Sequence, residues 1–132
     1  MKRGSTFILA SMLGLSACTP ATMGELRKEA PAAEQYVVAE NYQVVYRRVV
    51  ESMRRCWSTQ TTEADLYTDI QSAQIAILYA SIIGRSMYMG MDLKAIDSGS
   101  TNVTTRIALS TWRSNAALAN AWAKGTTNDC HL

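Results

Sequence analysis

The side chains able to do covalent or acid–base chemistry are few. The chain holds three cysteines, one histidine and eleven carboxylates. Cys18 follows the small residues Ser16 and Ala17. Cys56 and Cys130 lie far apart in the chain, without the spacing of a zinc site. His131 is the penultimate residue, and no serine or cysteine can be argued as its nucleophilic partner. Asp65 and Asp69 are four apart, but on an extended segment they need not converge. No glycine-rich phosphate loop is present. These residue types point to covalent modification and cross-linking of thiols rather than to turnover of a substrate.

The context of Cys18 gives its thiol a use. Lys2 and Arg3 are followed by an uncharged apolar run at residues 7–15, too short to span a bilayer. Leu15-Ser16-Ala17-Cys18 then resembles the lipobox of bacterial lipoprotein precursors. The resemblance covers the leader and Cys18 alone. It implies removal of residues 1–17 and a diacylglycerol on the Cys18 sulfur, with palmitate or a similar acyl chain on the new amine. Several acyl chains make such an anchor stable where a single one is marginal. Thr19 follows the cysteine, where an aspartate would favour retention in the inner membrane. The class therefore implies the outer membrane, with the protein facing the periplasm. With Cys18 lipidated, Cys56 and Cys130 remain as a pair in an oxidising compartment. An intrachain bridge between them would contribute roughly 4 kcal/mol by the chain-entropy account; an intermolecular bridge is the alternative.

Charge narrows the partners. The chain has 13 basic and 11 acidic residues. Loss of Lys2 and Arg3 takes the basic count from 13 to 11, so the processed chain is close to neutral. That excludes an electrostatic case for nucleic acid. No residue pattern calls for a cofactor or a metal.

Residues 18–40 read as the acylated cysteine and a flexible tether. They contain both prolines, Pro20 and Pro31, and no sustained period. A helical turn at residues 24–29 and a short edge strand at Tyr36-Val37-Val38 are local options within a mostly solvated spacer.

Residues 41–132 read as one domain closed by the disulfide. Asn41 is an N-cap, and Tyr42, Val45, Tyr46, Val49, Met53, Cys56 and Trp57 repeat at helical spacing. Arg47, Arg48, Arg54 and Arg55 fall on the opposite face, with Glu51 placed to pair with Arg47 and Arg55. Residues 66–70 and 74–80 read as strands. Met87, Met89, Met91 and Leu93 alternate along a third, a hairpin turn follows at residues 97–100, and residues 102–109 return. A final alanine-rich helix, capped by Ser114 or Asn115, stops at Gly125. The expectation is an α+β two-layer sandwich: a helix, an antiparallel sheet of about three strands, and a helix.

The implied function is a non-catalytic envelope lipoprotein that binds a protein partner or supports an assembly. The contact surface is expected at Trp112, Arg113, Arg47, Arg48, Arg54 and Arg55. A lipid- or glycan-binding cleft along the methionine strand is an alternative, as is inhibition of a periplasmic hydrolase through the exposed loop at residues 97–100.

Overall fold

The structure is a computed structural model that describes residues 19–132. The leader at residues 1–17 and Cys18 lie outside the described residues. Helix α1 (Met23–Glu29) is followed by strand β1 (Ala32–Val38) and helix α2 (Tyr42–Cys56). Strands β2 (Thr61–Tyr67), β3 (Ser72–Ser81), β4 (Gly84–Asp97) and β5 (Ser100–Ile107) come next. A 3-10 turn (Ser110–Trp112) leads into helix α3 (Arg113–Lys124). The sheet has five antiparallel strands in the order β1-β5-β4-β3-β2. Among the described residues no helix is long and apolar enough to cross a membrane.

The mixed α+β architecture matches the expectation, but the sheet has five strands rather than about three. The extra edge strand comes from the expected tether. Residues 34–38 of β1 pair with residues 101–105 of β5. Helix α1 also lies in that segment. Thr22 and Glu25 form its capping box: the Glu25 amide donates to Thr22 Oγ1 at 3.1 Å, and the Thr22 amide to Glu25 Oε2 at 3.2 Å. Ala30 ends the helix in an extended conformation, as the residue before Pro31 must. Two turns of helix and one edge strand are too short to show a period, so their order comes from tertiary packing.

The helices also occupy both faces of the sheet. Helices α2 and α3 pack on one face. Val45, Val49 and Met53 of α2 are fully buried against Ile75, Ile77, Met89, Met91 and Leu93, each worth roughly 1.5–3 kcal/mol. On the reverse face, Met23 and Leu26 of α1 cover Ala76, Leu78 and Met87. Arg27 fixes α1 there by bonding Asp92 through Nε at 3.0 Å and Gln74 through Nη2 at 2.9 Å.

Strand β4 serves both cores. Met89 pairs with Ile77 but Met87 pairs with Leu78, so Tyr88 is an extra residue on β4. This bulge breaks the alternation expected from sequence. Met87 turns to the α1 side, while Tyr88 and Met89 both meet the α2 and α3 side. Two residues on, Gly90 lets α1 approach. A Cβ there would lie 2.5 Å from Met23 Sδ and 2.7 Å from Leu26 Cδ2.

Cys56, at the end of α2, is bonded to Cys130 in the C-terminal tail across 74 residues, with the Cα atoms 5.3 Å apart. The intrachain pairing is therefore the one the fold adopts. Three tryptophans gather near the bridge: Trp57 lies 4.8 Å from Trp122 and 5.3 Å from Trp112, centroid to centroid. The Trp122 indole N–H donates to the Asp129 carbonyl at 2.8 Å and holds the tail beside it.

Replacing Gly90 by alanine should displace α1 and lower stability by about 1–3 kcal/mol, as overpacking does. A urea unfolding curve with a reduced midpoint and unchanged slope is the expected result.

Candidate functional site

A groove of about 590 Å³ runs between α3 and the start of β1, within the range of ligand and peptide pockets. Ala116 and Ala117 give it a low wall on the helix side, and Pro31 and Ala33 line the strand side. Ile107, Glu34 and Arg113 also line it. The small α3 residues leave this space. A bulge at Ala33 adjusts β1 beside it, since Ala32 pairs with Arg106 but Glu34 with Thr105. After the bulge, Glu34, Tyr36 and Val38 sit on the face that meets the helices.

A polar network stands at one side of the groove. Asn120 on α3 is 4% exposed. Its Oδ1 accepts from the Tyr36 hydroxyl at 2.8 Å and from Thr105 Oγ1 at 2.6 Å. Its Nδ2 donates to Glu34 Oε2 at 2.5 Å. The other Glu34 oxygen takes a 2.7 Å bond from Lys124 Nζ, which also lies 4.3 Å from the centre of the Tyr36 ring. Both polar ends of the Asn120 amide are thus matched, as burial demands. Burial first, and the Glu34 carboxylate second, push the Tyr36 phenol well above its ordinary range, against the hydrogen bond with Thr105. Tyr36 is therefore a neutral donor rather than a base. The network ties β1, β5 and α3 together and holds one carboxylate at the groove. Arg113 brings a cation to the same groove. This arrangement suits a chain segment with polar groups flanking a small apolar surface. Among the described residues no group of three histidine, cysteine or carboxylate side chains is placed to hold a metal ion.

The sequence-derived contact residues separate. Arg113 is exposed and lines the groove. Trp112 is half-buried: it stacks on Tyr88 at 4.7 Å and meets Trp57 edge-on, so most of its ring is spent on the fold. The α2 arginines do not act as one stripe. Arg48 bonds the Trp122 carbonyl at 2.7 Å, the Ala123 carbonyl at 2.6 Å and the Glu40 carboxylate. It thereby satisfies the last carbonyls of α3 and opposes the negative end of the helix dipole. Arg55 bonds the Asn128 carbonyl at 2.6 Å and secures the tail. Arg47 bonds Gln43 of its own helix at 3.3 Å, and Arg54 is exposed. The ion pairs among the described residues are Arg27–Asp92, Arg48–Glu40, Arg85–Glu63 and Lys124–Glu34. Glu51 is in none of them, so its expected pairing with Arg47 and Arg55 is not formed. The methionine row is core as well: Met89 and Met91 are fully buried under α2 and α3.

Glu34, Tyr36, Thr105, Asn120 and Lys124 are candidate-site residues that sequence reasoning does not reach. One cue was present: Asn120 is a polar residue within the alanine-rich apolar run of the last helix. Comparison with known protein families and with curated proteins finds no match to this chain.

Two expectations follow. Asn120→Ala should cost about 3 kcal/mol, because it strands two hydroxyls and a carboxylate oxygen; chemical denaturation reads this directly. The second concerns pH. The Arg48 hydrogen bond holds the Glu40 carboxyl below its ordinary 4.5. The folded state thus favours charged Glu40, and its stabilisation is complete well above pH 4.5 and lost as the pH falls through 4.5 and below. Glu40 is substantially exposed, which keeps the effect within the ~1 kcal/mol of solvated ion pairs. Melting temperatures from pH 6 to 3 should fall less steeply for Glu40→Gln than for the parent.

Proposed function

We propose that this protein is a non-catalytic envelope lipoprotein, acylated at Cys18 and held on the periplasmic side of the outer membrane. Its α3–β1 groove receives a segment of an envelope protein. The observation that carries this reading is the Cys56–Cys130 bridge. It uses two of the three cysteines in the manner of an oxidising compartment and leaves Cys18, inside the lipobox-like Leu15-Ser16-Ala17-Cys18, as the remaining thiol. The groove supports the binding role. It combines alanine and proline walls with one carboxylate carried on β1 and one guanidinium carried on α3. In this reading Glu34 and Arg113 orient a bound segment, and the apolar walls take its side chains.

The decisive experiment is metabolic labelling with a palmitate analogue. Label should enter the parent chain and co-sediment with membranes; Cys18→Ser should abolish the label and release most of the chain from membranes. Label in Cys18→Ser, or undiminished membrane retention without label, would sink the anchor. For the groove, a partner recovered with the parent should be lost from Ala117→Arg and kept by Arg54→Glu.

A further inference from the structure

The tip of the β3–β4 hairpin has an unusual composition. Ser81 pairs with Gly84, which leaves Ile82 and Ile83 alone at the turn. Ile82 is 104% exposed and Ile83 is 92% exposed. Tyr79, on the same hairpin, is 55% exposed. Turns of this length normally carry Gly, Asn, Asp or Ser, which are at home in water. Two adjacent isoleucines at full exposure form an apolar projection that nothing among the described residues covers.

The start of the described chain lies at the same end of the sheet. The Met87 amide donates to the Pro20 carbonyl at 2.9 Å, and Pro20 is buried. Arg85 Nε reaches the Ala21 carbonyl at 3.4 Å. Met87 is three residues along β4 from Gly84, roughly 10 Å at the strand rise. Cys18 precedes Pro20 by two residues, which adds at most about 7 Å. Pro20 is thus held at the tip end of the sheet, and a group attached at Cys18 has only a short length of chain between itself and that end.

We infer that the Ile82-Ile83 tip inserts into the lipid leaflet that holds the acyl chains of Cys18, so that anchor and hairpin grip the bilayer at two points. This deepens the anchored reading above and rests on it. The groups around the tip suit the headgroup region. Tyr79 is an amphipathic ring of the type that gathers at membrane interfaces. Arg85 is bound to both Glu63 oxygens at 2.6 Å, so the collar is polar but locally neutral. Ser81 turns its hydroxyl inward, accepting from the Ile83 amide at 3.3 Å. The occupant is thus an apolar phase under a polar surface rather than an anionic patch.

The test uses the acylated full chain in vesicles of phosphatidylethanolamine and phosphatidylglycerol, with palmitate incorporation read on the same sample. Ile83→Trp adds one indole at the tip, measured as a difference from the parent. Lipids brominated on the acyl chain should quench the added emission. Aqueous iodide should quench it about threefold less than in the vesicle-free Cys18→Ser form, as for a side chain seated at the acyl boundary. In the Cys18→Ser chain, the double change Ile82→Ser and Ile83→Ser should lower residual vesicle binding by about tenfold or more. Both side chains are exposed, so folding should be unaffected. Palmitate incorporation with a tip still open to iodide overturns the insertion and leaves the anchor standing. No palmitate overturns the anchor and this inference with it. Shielding from iodide without quenching by brominated lipid means that protein covers the tip, which also overturns it.

Discussion

Everything in this fold depends on one strand meeting two cores. β4 is the centre of the sheet and has apolar neighbours on both faces. A regular strand sends alternate side chains to opposite faces. The extra residue at Tyr88 changes that phase partway along. Beyond it, Met89, Met91 and Leu93 fill the large core under α2 and α3. Before it, Met87 joins the small core under α1. Gly90 then gives α1 the room to sit close. Without this combination the reverse face would have no seat for α1, and the chain preceding β1 would have nothing to pack on.

The two cores also divide the labour of the molecule. The α2 and α3 side holds the disulfide, the tryptophan cluster and the Asn120 network, all linking elements distant in sequence. Arg48 belongs to that system, because it fastens the end of α3 to α2. Gly125 is required beside it: its φ of 69° is left-handed, and a Cβ there would come within 3.2 Å of the guanidinium. The α1 side is smaller and is fastened by Arg27. It is the side that receives the first described residues of the chain.

Much of this was legible in the amino-acid sequence, and the rest was hidden for physical reasons. Helix α2 announced itself by a long apolar period and an Asn41 cap, which the fold uses: the Gln43 amide donates to Asn41 Oδ1 at 2.9 Å. The β4–β5 hairpin and the Gly125 stop were equally readable. The α1–β1 segment has the composition of a spacer, and its seven-residue elements cannot express a period above the noise of composition. The bulge at Tyr88 could not be read, since one inserted residue leaves a row of methionines looking regular. The groove residues were dispersed over β1, β5 and α3, and only a paired sheet brings them together. The arginines of α2 shared a face as expected, but two of them turned out to be bound to backbone carbonyls.

The pairing of β1 with β5 has a consequence for how the chain reaches this state. Among the described residues β1 pairs with β5 alone, Val38 with Thr101, and Cys56 must wait for Cys130, 74 residues further on. The sheet edge and the bridge therefore close only once β5 and Cys130 have been made. Until then β1 and the Cys56 thiol stay without their partners, and the entropy of closing those long loops falls on the last steps of folding.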